Sequence, residues 1–148
     1  MRARGFTLLE LLVVIAVIGL VLALMPGFLF RDQPAIDVEN AARAVADGLR
    51  QTRSRAMLEN RAQTFALDVE SRRFRPGDGQ PLRQLDRTIA LSLLTARSEA
   101  VGDAIGRIRF FPDGSTTGGR VRLAIEDHQA EVSIDWLTGD VAIDEPGP

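Results

Sequence analysis

Glu10 is the residue whose placement demands most of its surroundings. It sits inside an apolar segment that begins at Phe6, and an uncharged run from Leu11 to Phe30 follows it. An α-helix needs about 20 apolar residues to cross a hydrocarbon core of roughly 30 Å, and this run has that length. A carboxylate in such a segment costs on the order of a few kcal/mol and is usually retained because it has a partner. Arg2, Arg4 and Gly5 precede the segment. Basic residues ahead of a span keep the N-terminus cytoplasmic and send the rest of the chain outward. An ordinary cleaved secretory signal fits less well. Val21-Leu22-Ala23 offers small residues before a cut, but the apolar run continues to Leu29-Phe30 and contains Glu10.

Other residues could do chemistry only with help that the sequence does not offer. His128 is the single histidine, next to Asp127 in a turn, and without cysteine it makes a poor transition-metal site. Ser115, Thr116 and Thr117 have no evident base. Asp113, Asp135 and Asp140 could gather around a cation, but they lack EF-hand spacing and read as solvated turn carboxylates. Arg50, Arg53, Arg55 and Arg61 form a basic helix face that could touch DNA. Asp47 and Glu59 interrupt it, so it reads as a mixed solvated or subunit-contact face. The stretch from Phe110 to Arg120 lacks the Gly-Lys-Ser/Thr ending of a phosphate loop and opens no helix. It reads as a hairpin connection. Pro112 stops the first strand, Asp113-Gly114 turns the chain, and Gly118-Gly119 supply positive φ. No catalytic residue, cofactor or metal site is expected.

The 148 residues leave room for one membrane segment and one domain of roughly 115 residues with its own core. The net charge of −2 makes no global case for nucleic acid or acidic ligands. All 18 basic residues are Arg, which reads first as genome composition, though Arg also suits multi-donor subunit contacts. Without Cys the fold rests on packing rather than disulfides. One Trp and no Tyr exclude an aromatic-rich sugar or base-stacking platform.

These groups must be positioned by a helix and a sheet. Arg31-Asp32-Gln33-Pro34 predicts a polar break, and Pro26-Gly27 a bend or loosened helix end. From Ile36 to Asn60, Val38, Ala42, Val45, Leu49 and Ala56 recur at three- and four-residue spacing. Glu39, Arg43, Asp47 and Arg50 fall on the other side, which predicts an amphipathic helix lying on a core. From Thr64 the period becomes two. Phe65, Leu67 and Val69 share a face, as do Arg107 and Arg109. Val121, Leu123 and Ile125 form the apolar side of one strand, and Val132, Ile134 and Trp136 that of another. Val141 to Ile143 makes a short last strand, and Thr88 to Ala96 also predicts a strand. Turn signals lie at Pro76 to Gly79, Asp113-Gly114, Gly118-Gly119 and Thr138-Gly139. Such alternation predicts an antiparallel sheet with one face buried. Residues 145–148 predict a loose tail.

Gly5-Phe6-Thr7-Leu8-Leu9-Glu10 resembles the processing signal of type IV prepilins and type II secretion pseudopilins. The resemblance implies that prepilin peptidase cuts between Gly5 and Phe6 on the cytoplasmic side and methylates the new Phe6 amine. Helical spacing then puts that amine and the Glu10 carboxylate on one face. Two such charges about 4 Å apart attract by roughly 4 kcal/mol at an effective dielectric near 20. In the family's fibres the carboxylate is thought to pair with a neighbour's amine and set register. Four further stretches resemble the general secretion pathway protein H family: Arg53-Ser54-Arg55-Ala56, Phe65 to Glu70, the Phe110–Arg120 loop, and Val132 to Gly139. The Phe-Pro-Asp-Gly-Ser-x-x-Gly-Gly loop is shared with minor type IV pilins, which leaves fimbrial biogenesis or DNA uptake as the alternative.

The resemblance implies an α+β, pilin-like fold: a long N-terminal helix, its first half transmembrane, packed on an antiparallel β domain. The expected divisions are a cleaved leader (1–5), a transmembrane helix (6–30), its amphipathic continuation (31–60) and a periplasmic β domain (61–148). The expected role is a minor pseudopilin, single-pass in the inner membrane and built into the periplasmic pseudopilus. Its implied partners are other pseudopilins, prepilin peptidase, the inner-membrane secretion platform and secreted cargo. Gly5, Phe6 and Glu10 would carry processing and assembly. The loop residues Asp113, Gly114, Ser115, Gly118 and Gly119 would offer a contact surface.

Overall fold

The computed structural model describes residues 8–24, 33–94, 100–101 and 104–144. The Gly5/Phe6 junction, the Pro26-Gly27 bend, Arg31-Asp32, residues 95–96 and the tail 145–148 lie outside them. The chain divides into two compact units, Met1–Gln33 and Pro34–Pro148.

The first unit holds helix α1, Leu8–Leu24, with Glu10 in its first turn. Leu11, Leu12, Val13, Val14 and Ile15 are consecutive and all exposed, so the helix presents apolar surface on every side. A helix apolar all round belongs in a large core or a membrane. Its 17 described residues would extend about 26 Å. Among the described residues no helix is long and apolar enough to cross a membrane.

The second unit is a helix under two antiparallel sheets. Helix α2 runs Gln33–Leu58, so it begins before the predicted Ile36. Pro34 falls in its first turn, where the backbone N–H has no intrahelical partner to lose. The helix ends where Asn60 takes a positive φ of 47° and the Arg61 amide donates to the Ala56 carbonyl at 3.2 Å, a six-to-one closure. Its inner stripe is Val38, Ala42, Val45, Leu49 and Ala56, all buried as the spacing predicts.

The strands are β1 (Gln63–Asp68), β2 (Arg73–Pro76), β3 (Arg83–Gln84), β4 (Ala90–Leu94), β5 (Ala100–Val101), β6 (Ile105–Phe110), β7 (Gly119–Ile125), β8 (His128–Ile134) and β9 (Val141–Asp144). They form a five-stranded sheet in the order β3-β2-β1-β6-β5 and a four-stranded sheet in the order β4-β7-β8-β9. Every pairing is antiparallel. Phe65, Leu67, Ile108 and Phe110 of the first sheet and Val121, Leu123, Val132 and Ile134 of the second join the α2 stripe in one core.

Four expectations need correction. The predicted hairpin between β6 and β7 is not one, because the two strands belong to different sheets. Their loop pairs back only at the end of β6, where Thr116 bridges Phe110, and the chain then leaves for the second sheet. Trp136 lies beyond the end of β8 and is 66% exposed, so alternation fails there. The turn at Asp135 to Thr138 ends the strand first. His128 opens β8 rather than lying in a turn, and Pro76 ends β2 rather than starting one.

Gly48 sets how closely α2 approaches the first sheet. A Cβ there would meet Phe74 Cε2 at 2.8 Å and Phe65 Cε2 at 3.1 Å. Those two rings stack at 5.5 Å between centroids and are fully buried. Alanine gains about 1 kcal/mol of helix propensity over glycine, but overpacking a close-packed core costs about 1–3 kcal/mol. Gly48→Ala is therefore expected to lower the thermal midpoint. An increase, measured by circular dichroism, would mean the rings can give way.

Candidate functional site

The segments that distinguish this sequence converge at the C-terminal half of α2. The first is the loop from Phe111 to Gly118. Its tip folds back on itself, with the Phe111 amide donating to the Ser115 carbonyl at 2.9 Å and the Gly114 amide to the Phe111 carbonyl at 3.0 Å. Thr116 bridges Phe110, and the Thr117 amide donates to the Arg109 carbonyl at 3.0 Å. The chain then turns into β7 through Gly118 (φ 68°) and Gly119 (φ 155°). Both glycines are required by proximity as well. A Cβ at Gly119 would lie 2.8 Å from the Leu94 carbonyl oxygen, and one at Gly118 3.0 Å from Trp136 Cβ.

The second segment is the turn from Asp135 to Asp140. Asp135 Oδ1 accepts from the amides of Leu137 and Thr138 and from the Thr138 hydroxyl at 2.8–3.0 Å. The Gly139 amide donates back to the Asp135 carbonyl at 2.9 Å. The two loops touch. The Thr116 amide donates to the Trp136 carbonyl at 3.0 Å, and a Cβ on Gly139 would collide with the Gly114 carbonyl oxygen.

Arg53 of α2 ties both loops to the helix. Its guanidinium donates to the Thr138 carbonyl at 2.6 Å and to Asp140 Oδ1 at 3.2 Å, and it makes a longer contact with the Gly114 carbonyl at 3.4 Å. One turn earlier Arg50 donates to the Val141 carbonyl at 2.9 Å. Arg55 and Arg61 both pair with Glu59. The row of arginines read from sequence as a solvated or subunit-contact face is thus largely engaged within the chain. Arg53 as a hub was not legible, because two of its three acceptors are backbone carbonyls and all lie at least 61 positions away.

The expected loop residues divide by role. Asp113 is exposed, Ser115 and Gly119 are half-buried, and Gly114 and Gly118 are buried. The glycines therefore shape the loop, while Phe111, Pro112 and Asp113, with Trp136 and Leu137 from the second turn, are exposed. Met57 of α2 lies beside Gly114 and is also exposed. A shallow cavity of about 410 Å³ adjoins them, lined by Leu94, Thr117, Gly118, Gly119, Arg120, Ile134 and Trp136. An exposed apolar patch with a polar rim is suited to protein contact.

The buried polar side chains among the described residues are Thr52, Gln63 and Thr116, and none is an acid or base. Asp113 accepts from the Ser115 hydroxyl at 2.6 Å and amide at 2.9 Å. Asp135 caps its own turn, and Asp140 pairs with Arg53. Among the described residues no cluster of three or more His, Asp or Glu is arranged to hold a metal. Glu10 is exposed in the first turn of α1.

Two outcomes follow. Arg53→Ala should free both loops, raising amide exchange at Thr116 and Gly139 by about tenfold or more while central β1 amides stay protected. Unchanged exchange would show that the loops hold themselves. The hydroxyl and amide of Ser115 hold Asp113 below the usual carboxylate range, and the amide and hydroxyl of Thr138 do the same for Asp135. Their stabilising effect is present above the unfolded value of about 3.9 and is lost as pH falls through the depressed folded values. Ser115→Ala should move the Asp113 titration upward in carboxyl NMR. A titration that does not move would place the cause elsewhere.

Comparison with known proteins agrees with this arrangement. The family model described as "Type II transport protein GspH" matches residues 41–139, which include α2 from Ala41 and both contact loops. The prokaryotic N-terminal methylation motif matches residues 1–26. A curated type II secretion system protein H from Xanthomonas campestris pv. campestris is 35% identical over 140 residues, 95% of this chain and 82% of that protein. The minor pseudopilin EpsH of the Vibrio cholerae type 2 secretion system superposes with a TM-score of 0.58 at 15% identity, over 76% of this chain and 99% of that one. The type IV minor pilin FimU of Pseudomonas aeruginosa superposes with a TM-score of 0.54 at 16% identity, over 72% of this chain and 91% of that one. These two likenesses show a shared pilin-like fold and do not by themselves separate secretion from fimbriae. The family match and the curated relative do: the chain belongs to the GspH family of type II transport proteins, the minor pseudopilins of type II secretion.

Proposed function

We propose that this chain is a structural and assembly subunit of the periplasmic pseudopilus, made as an inner-membrane precursor and cut between Gly5 and Phe6. The N-terminal methylation motif across residues 1–26 carries this reading. The new Phe6 amine is methylated, and Glu10 four positions on pairs with the amine of a neighbouring subunit. Residues 6–30 cross the membrane once, with the N-terminus cytoplasmic. As a helix these roughly 25 residues reach about 38 Å, more than a hydrocarbon core of about 30 Å. Residues 31–60 continue that helix, and 61–148 form the β domain in the periplasm.

The chain acts by assembly. Its family is one of structural subunits that assemble with other pseudopilins. The apolar circumference of α1 supports a place among other helices or lipid tails, and Glu10 is the group that would give that contact a register. The paired loops clamped by Arg53 present Asp113, Phe111 and Trp136 for lateral contact with another pseudopilin. The prepilin peptidase and the inner-membrane platform are its processing and assembly partners, and secreted cargo is a further one. Fimbrial biogenesis is the weaker reading, resting on a fold shared with FimU and on the Phe110–Arg120 loop pattern shared with minor type IV pilins.

Replacing Gly5 with a bulky residue should leave the precursor uncut, seen as a slower band on a gel. Normal processing would refute the signal. Glu10→Ala should still be cut but should crosslink into the fibre at least severalfold less, since the carboxylate's attraction for the neighbouring amine is lost. Unchanged incorporation would remove Glu10 from assembly.

A further inference from the structure

Exposed apolar surface and unbalanced charge meet at the groove between the β6–β7 loop and the end of β4. Leu94 and Trp136 line it and are both exposed. Gly118 lies against Trp136 and Gly119 against the Leu94 carbonyl, so the two side chains flank backbone that carries no Cβ. Phe111 and Leu137 extend the apolar surface along the two touching turns. The rim is acidic. Residues 110–119 and 132–143 contain Asp113, Asp135 and Asp140 and no basic residue. Arg53 pairs with Asp140, and Arg120 beside the cavity pairs with Glu131. Asp113 and Asp135 accept only from neutral donors of their own turns, and all of those bonds go to Oδ1. The same donors hold both carboxyls below the usual carboxylate range, so both are ionised at neutral pH. Among the described residues no cation pairs with either, and Oδ2 of each takes no hydrogen bond.

We propose that this groove receives a basic, apolar segment of a neighbouring pseudopilin. An aliphatic side chain of that segment enters between Leu94 and Trp136, and an arginine beside it pairs with Asp135 or Asp113. The argument is charge complementarity around an apolar centre. Arginine suits the site because its planar fork both binds carboxylate oxygens and stacks on an indole, and Asp135 and Trp136 are consecutive residues. The unpaired aspartates disfavour the other occupants of such a surface. An anionic lipid surface would be repelled by them. A second copy docking through the same surface would bring like charges together. The proposal rests on the assembly reading above and adds the groove and the chemistry of its partner.

Trp136 is the single tryptophan of the chain and reports from inside the groove. Full-length protein held in phosphatidylcholine nanodiscs is titrated with a short peptide alternating arginine and leucine, with its counterpart carrying glutamate for arginine, and with phosphatidylglycerol vesicles, while Trp136 emission is followed. The arginine peptide should bind and shift the emission, and the glutamate peptide should not. The double variant Asp113→Asn, Asp135→Asn should weaken binding about tenfold or more, and its amide oxygens can still accept the bonds that close the two turns. Leu94→Arg, at an exposed position, puts a like charge beside the groove and should also weaken binding, which keeps the test valid if the double variant misfolds. Absence of binding, binding that a folded variant leaves unchanged, or equal binding of the glutamate peptide overturns the proposal. Tighter binding to the vesicles, or an emission shift on raising the protein concentration alone, also overturns it. The Glu10→Ala crosslink measures assembly without touching this groove, and the peptide titration needs no fibre, so the two can fail separately.

Discussion

The second unit depends on one constraint: helix α2 has a single apolar stripe, and two sheets must share the work of covering it. Val38, Ala42, Val45 and Leu49 are buried together with residues from both sheets. No strand can serve both, so the chain crosses between sheets from β3 to β4, from β4 to β5 and from β6 to β7. The last crossing explains why the Gly-rich loop exists. The chain leaves the first sheet at Phe110, closes a tight turn and enters the second at Gly119, where only a residue without Cβ clears the Leu94 carbonyl. Arg53 then fastens the crossing and the neighbouring turn to the helix that both sheets cover. Its ion pair with Asp140 is too exposed to contribute much stability. Its hydrogen bonds to loop carbonyls fix position, which a contact surface needs.

The first unit answers to the opposite constraint. α1 has no polar side, and its described side chains are exposed. A helix of this kind has no core of its own and takes its surroundings from lipid or from other helices. Membership in a family of fibre-forming secretion subunits gives that exposure a use. One unit folds around its own core, and the other presents a described helix that is apolar on every side.

Sequence periodicity revealed the α2 stripe and most of the strands because each buries one face against a continuous core. It missed β2, β3 and β5, which are too short to show a period. It placed Trp136 inside because alternation was extended past a turn whose strength lies in side-chain-to-backbone bonds from Asp135. It read the β6–β7 loop as a hairpin because turn residues report that a chain reverses, not which sheet it rejoins. The clamp at Arg53 was hidden for a related reason. Two of its three acceptors are backbone carbonyls, which carry no residue type, and all three lie far away in sequence. The loop's identity as a distinguishing segment was legible, whereas the division between glycines that shape it and exposed residues that face outward required coordinates.

The account depends above all on where the mature chain begins. Intact-mass and N-terminal fragment spectra of the protein purified from its native membrane test this most directly. The account predicts a chain starting at Phe6 with one methyl group on its amine. A chain that retains Met1 and its leader arginines, or one that starts beyond Phe30, would contradict it.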